Sequence, residues 1–157
     1  MKKIFLNLVL GVLAFGESIC GYYILEKNDA GNQSIIEIFQ KDGKYYAYGF
    51  ANTDGSVSYD VNNPDEKLKG RSLRGAVFLW GLVKDGEEYD KGKIYNNANG
   101  KIYSASAILN GDTLKVRATV WGFSKTLIWK RLSDEQVSEY LDKKPSMEEV
   151  IKTIPAK

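Results

Sequence analysis

The chain has 157 residues, with 22 basic and 20 acidic side chains, no histidine and one cysteine. Without histidine, nucleophilic catalysis of the Ser-His or Cys-His kind is excluded, and so are zinc sites built on histidine or several cysteines. No metal, cofactor or catalytic residue is expected, and the chain reads as a non-enzyme.

The N-terminus comes first in chain order. Lys2-Lys3 followed by the apolar run Ile4 to Phe15 has the pattern of a secretory signal peptide and is too short for a comfortable membrane span. Residues 1–20 are assigned to this leader, with cleavage after Gly16, Ser18 or Cys20. The mature chain is then expected in the periplasm or outside the cell, without stable membrane insertion. Removing Lys2 and Lys3 brings the charge balance close to zero, which argues against a nucleic-acid partner. Cys20 stands alone, so the fold relies on its core rather than on an internal disulfide. Ile19 occupies the place where a lipid-attachment signal wants a small residue, which argues against lipidation of Cys20.

Residues 21–157 read as one domain. Gly21 to Leu25 is a first strand, and Ser34 to Gln40 a second. Asp42-Gly43 marks a hairpin into a third strand, Tyr45 to Ala51. Tyr46, Tyr48 and Phe50 alternate along that strand and are taken to point into the interior. Residues 52–72 are long for a connection in a compact domain and rich in Asn, Asp, Gly and Ser. Asn63, Asp65 and Arg71 are singled out here as residues of a lid or mouth, with Arg71 a partner for a carboxylate head group. Other loop carboxylates, Asp60 among them, are expected to be solvated. Leu73 to Val83 is apolar on both faces and so needs cover on both; Val77 and Leu79 are placed inward.

From Lys91 to Arg131 the chain alternates with period two between short turns, the pattern of an antiparallel meander. Tyr103, Ala105 and Ala107 share one face, as do Leu114 and Val116. The turns are read at Asn96 to Gly100, at Asn110 to Asp112 and at Gly122 to Ser124. The tail, 133–154, changes to a helical period. Ser133 and Ser146 head two capping-box patterns, and Val137, Tyr140 and Leu141 share a helical face. This tail is expected to cover the sheet near Trp80. About eight antiparallel strands in up-and-down order suggest a closed barrel.

Gly92-x-Ile94-Tyr95, Gly100-Lys101-x-Tyr103, Leu114-Lys115-Val116-Arg117 and Trp129-x-Arg131 together resemble an exported bacterial family of unknown function. Asp60 to Asp65, with Arg71, Leu73 and Gly75, matches the same family's mid-chain segment. The resemblance spans residues 21–131 and implies an all-β, lipocalin-like (calycin) barrel. It departs from the family at Tyr23, where Trp is usual, at Asn96-Asn97, where a Pro is common, and at Ala118, where Gly is usual. It implies closure of the barrel by Tyr23, Trp129 and Arg131, through Tyr23–Arg131 cation–π stacking. It further implies a small apolar or amphipathic ligand, fatty-acid-like, in a cavity lined by the inward residues named above. The competing expectation is a protein-interaction module with a filled barrel.

Overall fold

The structure, a computed structural model, describes residues 18–156. Of the leader assigned to 1–20, only Ser18, Ile19 and Cys20 fall within them. Eight antiparallel strands form a closed barrel in up-and-down order. They are β1 (Gly21–Ile24), β2 (Ser34–Lys41), β3 (Lys44–Asn52), β4 (Val77–Asp85), β5 (Glu88–Asn96), β6 (Lys101–Asn110), β7 (Thr113–Val120) and β8 (Phe123–Arg131). Each strand pairs with the next in sequence, and β8 returns to β1. The tail forms α1 (Asp134–Val137), a 3-10 segment (Ser138–Lys143) and α2 (Met147–Lys152). Ser133 and Gln136 complete a reciprocal capping box, and the Ser146 hydroxyl accepts from Glu149 N–H at the start of α2.

Alternation along the strands divides the apolar residues between two clusters. The interior cluster holds Tyr23, Ile36, Ile38, Tyr45, Ala47, Leu79, Leu82, Tyr89, Ile94, Ala105, Ala107, Leu114, Val116 and Trp129, with Ile19 inserted from below. The outer cluster holds Ile35, Tyr46, Tyr48, Phe50, Val77 and Trp80 under Val137 and Val150 of the tail. Tyr140, Met147 and Ile154 add to it, whereas Leu141 is exposed. The tail therefore gives Trp80 its cover through Val137 and Tyr140 of the expected face, without Leu141.

This arrangement corrects the inward placement of Tyr46, Tyr48, Phe50 and Val77. An eight-stranded barrel is just wide enough for its own side chains. The interior beside β3 is already occupied by Tyr45, Ala47 and the aromatic rings of Tyr23, Tyr89 and Trp129. The larger stripe of β3 turns outward, where the tail buries it. Val77 and Leu79 fall on opposite sides because β4 carries an extra residue there: Tyr48 pairs with Val77, and Ala47 with Leu79. A second bulge follows at Gly81, whose φ of 77° suits glycine. The last turn lies one residue earlier than expected, at Trp121-Gly122, since Val120 pairs with Phe123.

A polar cluster fastens the tail to the wall. Lys144 Nζ lies 2.8 Å from Glu37 Oε1, donates to the Tyr22 hydroxyl at 2.9 Å and sits 5.0 Å from the centre of the Tyr22 ring. The Tyr48 hydroxyl donates to the same Glu37 carboxylate.

The lower end is closed by a clamp around Arg131. β1 and β8 share two register pairs, Tyr23–Arg131 and Ile24–Lys130. Arg131 Nη2 donates to the Ser18 carbonyl at 2.7 Å and to the Tyr23 hydroxyl at 2.8 Å, and the guanidinium lies 5.2 Å from the Tyr23 ring centre. The Tyr23 hydroxyl donates in turn to the Ile19 carbonyl at 2.7 Å. Replacing Arg131 with alanine is expected to cost about 1–3 kcal/mol through lost packing and cation–π contact. An unchanged denaturant midpoint would refute the clamp. Burial pushes the Tyr23 phenol from its ordinary 10.0 up to about 12, with Arg131 pulling the other way. A folded value above the unfolded one means this contribution is intact below pH 10 and lost as pH rises through about 12. Stability should therefore fall across that alkaline window, and the fall should be shallower in Tyr23→Phe.

Candidate functional site

The two ends of the barrel differ. The lower end is plugged by Ile19, Tyr23, Tyr45, Tyr89 and Trp129, with Tyr45 and Tyr89 edge-to-face at 4.9 Å. The upper end is where β1–β2, β3–β4, β5–β6 and β7–β8 connect. There a cavity of ≈ 170 Å³ opens under the β3–β4 connection. Leu25, Ile36, Gly49 and Phe78 contribute its apolar floor, and Arg71, Arg74 and Lys143 bring three cations to its lining. Asn52, Ser56 and Ser58 add neutral polar groups. A second groove of ≈ 310 Å³ runs along β5–β7, between Lys93, Ser104, Ser106, Arg117 and Thr119.

The connection over the cavity is long but held. Asp60, expected to be solvated, is fully buried. Its Oδ2 accepts from Arg71 Nε at 2.9 Å and Asn63 Nδ2 at 2.8 Å, and its Oδ1 from the Tyr95 hydroxyl at 2.7 Å. A buried carboxylate needs such donors to offset its lost hydration, and here they come from the middle of the loop, from its later part and from β5. Burial, then the Asp60 carboxylate, pushes the Tyr95 phenol up to about 12. Asn63 Oδ1 accepts from Asp65 N–H, and Asp65 caps a 3-10 turn, Glu66–Leu68. Asn62 donates to the Asn97 and Ala98 carbonyls of the β5–β6 turn. Gly100 permits this approach: a Cβ there would lie 2.1 Å from the Asn62 carbonyl oxygen.

The expected site residues thus separate. Leu79, Ala105, Ala107, Leu114 and Val116 belong to the interior cluster, and Tyr103 is half-buried against it. Of the residues assigned to the mouth, Arg71 lines the cavity, while Asn63 and Asp65 shape the loop. Phe50 and Val77 reach the cavity from the outer cluster; Tyr46 and Tyr48 do not line it. No local pattern distinguishes Arg74 and Lys143 from other exposed cations. The Asn63–Asp65 contact carries a faint signal, an Asx-turn spacing across Pro64.

Residues 21–131 match the family described as "Uncharacterized protein conserved in bacteria (DUF2147)". The chain belongs to this family. A solved structure described as "Protein HP1028 from the human pathogen Helicobacter pylori belongs to the lipocalin family" shares 38% identity at a TM-score of 0.80, over 88% of this chain and 99% of that one. Its likeness agrees with the lipocalin-like barrel seen here. Two further structures, a REP1-NXSQ fatty acid transporter and As-p18, an extracellular fatty acid binding protein, are each 12% identical, with TM-scores of 0.42 and 0.39. The first covers 73% of this chain and 98% of that one, the second 72% and 95%. Both are too remote in shape to bear on the ligand. No curated protein matches.

Asp60→Ala would leave three donors facing a void. It is expected to cost about 2–3 kcal/mol, toward the middle of the range for orphaned buried partners. Proteolysis should then cut first within residues 53–76. An unchanged denaturant midpoint together with unchanged proteolysis would show that Asp60 does not hold the loop.

Proposed function

We propose that this protein is a non-catalytic carrier of a small amphipathic anion, bound at the open end of the barrel. The supporting observation is the pairing of an apolar floor (Leu25, Ile36, Phe78) with three cations, Arg71, Arg74 and Lys143, in one cavity. An apolar body gains from leaving water against that floor, and an anionic head gains from the guanidinium groups. At ≈ 170 Å³ the cavity is smaller than pockets that enclose a drug-sized molecule, roughly 300–1,000 Å³. It is close to the engineered cavity of about 150 Å³ that holds benzene. The aromatic plug below leaves no depth for an extended fatty acid. The ligand is therefore one with a ring or short alkyl segment, or one whose chain stays partly outside.

Export is part of the same proposal and is supported by Lys2-Lys3 and the apolar run after them. The mature protein is then periplasmic or secreted. The clamp on Ser18, Ile19 and Cys20 favours cleavage after Gly16 over cleavage after Ser18 or Cys20, since the later cuts remove groups that Arg131 and Tyr23 hold. The second reading is an interaction module with a filled barrel, and the plugged lower half favours it.

Calorimetric titration of the delipidated protein separates the two. Octanoate should bind saturably and octanol more weakly. Arg74→Glu should lower octanoate affinity about tenfold by replacing attraction with repulsion. Gly49→Leu should block binding with the fold intact, because a Cβ at Gly49 meets nothing nearer than 3.8 Å. If short alkyl carboxylates, sulfates and phosphates all fail to bind the wild type, the carrier reading falls and the interaction module replaces it.

A further inference from the structure

The β7–β8 hairpin ends in a side chain that neither packing nor turn geometry requires. Trp121 is 93% exposed and Phe123 78% exposed. Trp121 and Gly122 both have positive φ, 49° and 81°, the two-residue turn that favours Asn-Gly or Asp-Gly. The β2–β3 hairpin uses Asp42-Gly43 in the same conformation, with φ of 52° and 77°. A bulky residue in the left-handed region is disfavoured, so Trp121 costs the fold stability and buries nothing in return.

The surroundings say what it meets. Of the eight large hydrophobic side chains exposed among the described residues, seven lie at the open end: Val57, Tyr59, Val61, Ile102, Val120, Trp121 and Phe123. β7 of the hairpin is paired with β6 as far as Thr119, but its β8 edge is largely open. β1 pairs only with Lys130 and Arg131, so β8 from Phe123 to Ile128, a length of about 17 Å, has no strand beside it on that edge. The wall behind the tip is basic: Lys91, Lys93, Lys101, Arg117 and Lys125 lie on β5 to β8, while Lys115, Lys130 and Arg131 lie at the lower end beside Asp112. The β1–β2 and β3–β4 connections at the open end carry both signs, Glu26, Asp29, Asp54, Asp65 and Glu66 against Lys27, Lys67, Lys69, Arg71 and Arg74, so the cationic contact falls to the β5–β8 side. An aromatic tip with aliphatic neighbours on a basic stem matches the interface of an anionic bilayer, where amphipathic rings settle at headgroup level and cations meet the surface potential. Nucleic acid fits less well, since bases need aromatic platforms along the binding face, and the groove face carries Ser104, Ser106 and Thr119 instead.

We propose that the open end of the barrel docks reversibly on membranes with anionic headgroups, with Trp121 and Phe123 entering the interface. Trp121 and Phe123 are outside the cavity lining, which Val57 alone of the seven shares, so their role stands whatever the cavity binds.

Co-sedimentation of the full chain with phosphatidylglycerol–phosphatidylcholine vesicles tests it, with phosphatidylcholine alone as the comparison. Trp80 and Trp129 are buried, so a blue shift of emission on binding, and quenching by brominated lipid, would report Trp121. Binding should require the anionic lipid and weaken with salt. Trp121→Asn should lower the partition coefficient about tenfold while leaving the melting temperature unchanged or raised, as a better turn residue would. Phe123→Ser should also weaken binding. Failure to sediment overturns the proposal. So does undiminished binding by Trp121→Asn, which would assign the contact to the apolar N-terminal stretch. Binding of a single-stranded oligonucleotide without vesicle binding, or self-association abolished by Trp121→Asn without vesicle binding, would likewise overturn it.

Discussion

The barrel depends on one clamp. An up-and-down barrel has no edge only while its first and last strands remain joined, and here β1 offers four residues and two register pairs to that seam. Arg131 reinforces it by binding at once to the β1 tyrosine and to the chain just before β1. The same contact holds Ile19 beneath the interior aromatics. Closure, the lower plug and the position of the chain's entry into the barrel are therefore a single arrangement. Its hydrogen bonds share the buried Tyr23 hydroxyl, so breaking one disturbs the others.

The plug has a consequence at the opposite end. Tyr23, Tyr45, Tyr89 and Trp129 fill the lower interior, and the cavity lies near the mouth, where Gly49 and the half-buried Phe78 line it. The β3–β4 connection covers that space and is held by the buried Asp60 carboxylate together with a short antiparallel bridge, Tyr59–Ser72. Arg71 serves both roles: its Nε is committed to Asp60, and its side chain lines the cavity. Loop order and the charge of the binding surface are thus coupled through one residue.

The tail acts on the other side of the wall. It gives β2, β3 and β4 a second apolar face to bury, so these strands read as hydrophobic on both sides while β6 and β7 alternate cleanly. That contrast also distributes charge. Outward positions of β5 to β8 are free for Lys93, Lys115 and Arg117, whereas those of β2 to β4 are covered. The projecting hairpin inherits this basic, uncovered side.

Much of this was legible in the chain before folding. Asp-Gly, Asn-Gly and period-two alternation specify strands and hairpins locally, because turn dihedrals and side-chain direction are properties of a few consecutive residues. The helical period and serine caps of the tail are equally local. The family pattern places Tyr23 opposite Arg131, and the register agrees. What local pattern cannot express is which of two apolar faces turns inward. For Tyr46, Tyr48 and Phe50 the answer depends on the limited volume of the barrel and on a tail ninety residues away in sequence. Bulges at Phe78 and Gly81 reverse or shift parity without a distinctive signature, so Val77 and Leu79 separate. The gathering of Arg71, Arg74 and Lys143, and the burial of Asp60, were likewise decided by tertiary structure, because each exists only once distant segments bring their charges and donors to one place.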